Sequence, residues 1–246
     1  MRLTVRINMN KPVLASLLLS FTMSAFAAKP KLAFIIDDIG NKPISSKIST
    51  LPKEITLSII PFSKFDSQSV QQAYREGREV MLHLPMQSRY PAAEPTTITL
   101  NMEKAEFEQR VQAAIKRIPT AVAVNNHMGS ELTQDAKSMQ HLMRILKKQR
   151  VGFIDSRTTP KTVAQKSAIE QGVANNRRHV FLDHVRSEDF ITAQFHSAVK
   201  MAQESQNIVV IIGHPHDITL KTLNELLKKF QQEIELVSIS QALAPI

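Results

Sequence analysis

Cysteine is absent from the 246 residues, so no disulfide holds this fold, and neither a thiolate metal site nor a cysteine nucleophile is available. Any metal must be held by His, Asp or Glu. Low-complexity linkers and internal repeats are also missing. There is no Gly-x-Ser-x-Gly elbow, and a nucleophile at Ser130 or Ser156 would still need a paired histidine, so a serine hydrolase is set aside. Finally, the apolar run Val13 to Phe26 is shorter than the roughly 18 to 20 residues of a membrane span.

That short run does have a reading. Arg2, Arg6 and Lys11 precede it without an acid, and Ala25-Phe26-Ala27 closes it, which is the three-part pattern of a secretory signal peptide. Cleavage after Ala27 leaves residues 28–246 as one domain, periplasmic or secreted, with no permanent membrane span. Met9 is an alternative start that leaves the same mature chain. Removing residues 1–27 takes away three cations, so the net charge falls from +9 to +6. The remaining lysines and arginines are scattered along helical stretches, the pattern of a solvated surface and not of a nucleic-acid site.

From Lys31 onward, short apolar runs alternate with longer amphipathic segments. The runs predict strands over 31–36, 55–60, 79–84, 120–124, 151–155, 179–182, 207–212 and 234–239. Helices are expected over 67–77, 102–118, 133–149, 188–205 and 219–232. Thr133 is a candidate cap for the third, whose Met139, Leu142, Met143 and Leu146 recur at helical spacing as core residues. Eight strands with intervening helices imply a (β/α) barrel or a related doubly wound sheet. Either architecture places its chemistry at the carboxyl ends of the strands. There the sequence sets Asp37 and Asp38 (LAFIIDDIG), His83 (REVMLHLPM), His127 (AVAVNNHMG), and His214 and His216 (IVVIIGHPHD). Carboxylates and imidazoles converging at one sheet edge suit a divalent cation with an open position, and hence hydrolysis. Asp183 also follows a strand and is a further pocket candidate. The irregular stretch Ser88–Leu100, directly after the His83 strand, is placed to roof such a site.

LAFIIDDIG resembles the first motif of the polysaccharide deacetylases, the NodB-like carbohydrate esterases. EGREVMLHLPMQ is similar to that family's second motif: Glu76, Gly77, Glu79 and Val80 match its Glu-Gly-His-Glu-Ile start, and His83 falls on the first metal histidine. NNHMGS and IIGHPH look like the divergent branch of the family found in bacterial envelopes. The resemblance implies an irregular (β/α) barrel of about seven to eight mostly parallel strands. It also implies removal of N-acetyl groups from an envelope polysaccharide such as the peptidoglycan glycan.

Carried over residue by residue, it makes Asp37 the general base, Asp38 and His83 ligands of a divalent ion, zinc foremost, and His214 the general acid. Gln87 stands where the family has its second metal histidine, and His127 replaces that ligand from the loop in which ordinary members carry Arg-Pro-Pro. Asp155 falls near the acidic fourth motif, and His216 is either the acid or a further ligand. Backbone amides from Met128 to Ser130 are candidate oxyanion donors. Two other classes stay open. One is an inactive deacetylase-fold module that binds glycan or serves as a scaffold in envelope assembly. The other is a glycosidase using Asp37 with Asp155 or Asp183, which leaves the histidines without a role.

Overall fold

The computed structural model describes Met1 and residues 28–90 and 94–243. The signal-peptide reading therefore lies outside the described residues. In chain order the elements are β1 (Lys31–Ile39), α1 (Ser46–Ser49), β2 (Thr56–Ile59), α2 (Asp66–Arg75), β3 (Val80–Met86) and α3 (Lys104–Arg117). Then come β4 (Ala121–Met128), α4 (Ala136–Gln149), β5 (Gly152–Asp155), α5 (Ala164–Gln171), β6 (Asn175–Arg177) and β7 (Val180–Phe181). The chain closes with α6 (Glu188–Ser205), β8 (Val209–Gly213), α7 (Asp217–Phe230), β9 (Glu235–Leu236) and α8 (Ile239–Ala242).

The strands run in the order β6-β5-β4-β3-β2-β1-β8-β7, with β9 beside β1, and their pairings are parallel. From β1 to β6 each new strand is added next to the last, so there is no central switch point of the doubly wound kind. Between β6 and β7 lie only Arg178 and His179. The Arg178 amide bonds to the Asp155 carbonyl on β5 at 2.8 Å and the His179 amide to the Val210 carbonyl on β8 at 2.9 Å. Two adjacent residues thus reach both margins of the sheet, which curls into an irregular barrel with a seam.

Two apolar layers follow from the alternation of strand side chains. Leu32, Phe34 and Ile36 of β1 join the larger layer under the helices. Ala33 and Ile35 instead join Met81, Ala123, Ile154, Val210 and Ile212 in a second layer, which is the barrel interior. The carboxyl-terminal segment plugs its lower end: Val237, Ile239 and Ala242 belong to the interior layer. Gly152 makes room for that plug, since a Cβ there would sit 2.6 Å from Leu243 Cδ1.

The expected helices are present, α6 with the expected bounds and the others with shifted ends. α4 begins at Ala136 and is capped by Asp135, whose side chain accepts from the Ser138 amide at 2.7 Å. Thr133 is not the cap: it lies in a short 3-10 turn, Leu132–Gln134, with its hydroxyl donated to the Gly129 carbonyl. Met139, Leu142, Met143 and Leu146 are fully buried, each contributing about 1.5–3 kcal/mol by leaving water. Sequence periodicity did not find β6, α1, α5 or α8. Among the described residues, no helix is long and apolar enough to cross a membrane.

Candidate active site

The strand period that builds the interior layer also aims the site. Continuing the inward positions upward from Ala33 and Ile35 gives Asp37. Met81 leads to His83, Ala123 to Asn125 and His127, and Val210 and Ile212 to His214. The same alternation turns Asp155 away, because its neighbour Ile154 is the inward residue of β5.

Asp38 should by this logic point outward, away from Asp37. It does not, because its backbone is left-handed at φ 58°, a conformation that Asp tolerates better than most residues and that strained functional positions favour. Both carboxylates consequently face His83 Nε2, with Asp38 Oδ1 at 3.2 Å and Asp37 Oδ2 at 3.7 Å. Strand alternation alone would send two adjacent acids to opposite faces. Here they diverge only in their partners.

Three ligand-type atoms form a small triangle. Asp38 Oδ1 is 3.2 Å from His83 Nε2 and 3.0 Å from His127 Nδ1, and the two imidazole nitrogens are 3.1 Å apart. Four ligands held tetrahedrally at the usual 2.0–2.1 Å from zinc are separated by about 3.3–3.4 Å, so this triangle is close to one face of such a polyhedron.

The outer ring nitrogens fix the tautomers. His83 Nδ1 donates to Asn125 Oδ1 at 2.8 Å, and that oxygen also accepts from the Ser58 hydroxyl at 2.6 Å. Asn125 Nδ2 in turn donates to Asp37 Oδ1 at 2.8 Å. Facing His127 Nε2 at 3.4 Å is the Glu94 carboxylate, contributed by the stretch expected to roof the site; residues 91–93 of that stretch lie outside the described residues. One histidine therefore presents Nε2 inward and the other Nδ1, each backed by an oxygen acceptor, the usual support for a metal-ligating imidazole.

A second group of the same composition lies beside it: Asp183, His214 and His216. Here the carboxylate is already engaged by its own surroundings. Asp183 accepts from the His214 amide at 2.8 Å, from His214 Nδ1 at 2.9 Å and from the Thr219 hydroxyl at 2.9 Å. His214 Nε2 is left pointing toward Asp38 Oδ2, 3.9 Å away. His216 stacks on His214 with ring centres 5.9 Å apart.

Charge follows the geometry. Burial opposes the charged form of His83, but Asp37, Asp38 and the Asn125 hydrogen bond outweigh it and push the imidazole up to about 9. Burial likewise opposes ionisation of Asp38, yet His127 and His83 hold its carboxyl well below the usual range. His214 is raised against burial by Asp183 and the Asp37 and Asp38 carboxylates. His216 is lowered by burial and the nearby Arg186 guanidinium.

Gln87 and Asp155 have other work. Gln87 donates to Glu131 Oε2 and accepts from the Leu100 amide, both at 2.8 Å, so it clips the stretch after β3. Asp155 takes the Arg157 amide at 2.8 Å and the Thr162 hydroxyl at 3.0 Å, bracing the connection into α5. Beyond β4 the backbone turns through Met128 and Gly129 at φ 54° and 86°. A Cβ on Gly129 would meet Met86 Cβ at 3.0 Å, so the turn that follows His127 requires glycine. Ser58, Asn125 and Glu94 were not singled out from the sequence.

Comparison with known proteins assigns the family. The profile of the divergent polysaccharide deacetylase family matches residues 34–243, and the chain belongs to that family. It is 34% identical over 216 residues to the uncharacterised protein YibQ of Escherichia coli K12, covering 87% of this chain and 67% of that protein. A solved structure of an uncharacterised protein from Agrobacterium tumefaciens C58 superimposes with a TM-score of 0.81 at 19% identity, covering 88% of this chain and 90% of that one. The catalytic domain of a peptidoglycan N-acetylglucosamine deacetylase from Eubacterium rectale superimposes at 0.54 and 12% identity, covering 89% and 92%. At these identities the structures show the fold, which is the NodB-like (β/α) barrel.

Proposed function

We propose that this chain is an exported, cation-dependent hydrolase that removes N-acetyl groups from an envelope polysaccharide such as the peptidoglycan glycan. The supporting observation is the triangle of Asp38 Oδ1, His83 Nε2 and His127 Nδ1, with edges of 3.0–3.2 Å, flanked by the Asp37 carboxylate and the His214 imidazole. That donor set, one carboxylate oxygen and two imidazole nitrogens, fits zinc. When bound, such a cation supplies Lewis acidity, bringing the pKa of water toward about 7 and polarising a carbonyl.

The chain's own residues do the rest. Asn125 holds Asp37 Oδ1 and leaves Oδ2 free beside the triangle, where it takes the proton of the attacking water. Asp183 fixes His214 Nδ1 and directs Nε2 into the site. From there the imidazolium protonates the departing amine as the C–N bond breaks, giving acetate and a free amino sugar. His216, whose charged form is disfavoured, is the less suited of the pair to hold the proton that the acid role requires. Family membership and the fold shared with a peptidoglycan deacetylase support the substrate class. Acetate release from N-acetylated peptidoglycan by zinc-loaded wild type and by Asp37→Asn tests this reading. Release by wild type and its loss in a fully metallated Asp37→Asn are expected. No release by a metallated wild type across a broad glycan panel would favour the binding module.

A further inference from the structure

Among the described residues, six that are not glycine have a left-handed backbone: Asp38, Phe62, Met128, Arg150, Arg157 and Gln206. Five have an evident reason. Arg150 and Gln206 close α4 and α6, where this conformation is ordinary. Asp38 and Met128 shape the site, and Arg157 turns its carbonyl to the Arg178 guanidinium at 2.8 Å. Phe62 remains. A bulky side chain is strained at a φ of 62°, and burial offsets only part of that, because the residue stays 49% exposed.

The strained turn is held from three sides. Asp66, itself buried, accepts the Phe62 amide at 2.7 Å. Arg117 grips both oxygens of the same carboxylate, each at 2.7 Å, and sets its guanidinium 5.8 Å from the centre of the Phe62 ring. The turn is also stitched to the end of β1, just past Asp38: the Ile60 amide donates to the Ile39 carbonyl at 2.9 Å and the Phe65 amide to the Gly40 carbonyl at 2.7 Å. A buried, doubly gripped carboxylate thus presents a phenyl ring at the rim of the mouth, in the connection that leaves the carboxyl end of β2.

We propose that Phe62 is a substrate-contact residue, a flat platform against which a sugar unit beyond the reacting one lays its C–H face. The proposal rests on the glycan reading of the mouth and adds that the substrate is a chain, not a single sugar. Phenylalanine offers no hydrogen bond, so the ring selects for contact area with a carbon-lined face. Tyr74 is the bland counterpart. It is 79% exposed in the last turn of α2, in ordinary helical backbone.

The test is calorimetric binding of the dimer and hexamer of N-acetylglucosamine, linked as in chitin, to zinc-loaded Asp37→Asn protein, with Phe62 varied in that background. The hexamer should bind more tightly than the dimer. Phe62→Leu, apolar but not flat, should weaken the hexamer about tenfold and the dimer less than about twofold. Phe62→Tyr should bind as the parent does, and Tyr74→Leu should change neither affinity. Phe62→Asn removes the ring and adopts the left-handed region more easily, so it should lose the hexamer like Phe62→Leu yet melt no lower than the parent. If Phe62→Leu does not fold, Phe62→Asn carries the test. Hexamer binding that depends on Phe62, without acetate release by the wild type, would strike the hydrolase reading and keep the platform. Acetate release with Phe62→Leu and Phe62→Asn binding the hexamer as the parent does would overturn the platform and keep the hydrolase. Hexamer and dimer bound alike, or no hexamer bound by the parent, would also overturn the platform.

Discussion

Two groups at the mouth of this barrel contain the same residues, one Asp and two His, and they are built for different tasks. Around Asp38 both imidazoles turn a nitrogen toward one carboxylate oxygen, and their outer nitrogens are backed by Asn125 and Glu94. Around Asp183 the carboxylate spends its oxygens on an amide, a ring N–H and a hydroxyl of its own surroundings. It orients His214 instead. A list of potential ligands is thus a weak guide. What decides is whether each carboxylate and each ring is already satisfied from behind.

If that contrast is right, the variants should separate in kind. Asp37→Asn and His214→Ala should retain bound zinc and lower acetate release by about 100-fold to 10,000-fold, measured on protein of verified metal content. Loss of zinc in His214→Ala would break the comparison by making it a ligand. Next in size, Asn125→Ala should weaken zinc about 10-fold to 100-fold by freeing His83 Nδ1, and should also impair turnover through Asp37. Competition with a chromogenic chelator reads the first effect, and unaltered affinity would remove Asn125 from the account.

Protonation sharpens the same comparison. His83 sits at about 9 in the metal-free site, above its ordinary value, so its proton contributes stability that is fully present below about pH 6.5 and lost as pH rises through about 9. The metal-free protein should melt at lower temperature at pH 9 than at pH 7, and zinc affinity should climb with pH over that window as the proton stops competing. In the second group, Asp183→Asn removes a charge that raises His214. The alkaline limb of the pH–rate profile should therefore move to lower pH while zinc affinity stays within about threefold. Smallest of all, Asp155→Asn should leave both metal and rate alone and cost about 1 kcal/mol of stability in denaturant unfolding.

Much of this was legible from the chain because strand alternation is a strict rule. Apolar residues at 33 and 35, 81, 123, and 210 and 212 point the way to Asp37, His83, His127 and His214, and the run endings locate the sheet edge. Four things were not read from the chain. Asp38 turns inward only because its φ is 58°, which no pattern of residue types announces. Asn125 and Asn126 are fully buried strand residues, and a pair of asparagines inside a strand is unusual enough to have signalled a polar network. β6 and α5 are short and mixed in character, so their structure comes from packing against the seam and not from periodicity. The partner of His214 was also out of reach. Asp183 and Asp155 both end strands, and only the fold shows that one meets His214 while the other braces a loop.

The most direct test is equilibrium zinc titration of the metal-free protein alongside His127→Ala and His216→Ala. The account predicts one ion per chain for wild type, unchanged binding in His216→Ala, and affinity lowered by at least 100-fold in His127→Ala. Two ions per chain, or losses of equal size in the two variants, would contradict the claim that only the Asp38 group is built to hold a cation.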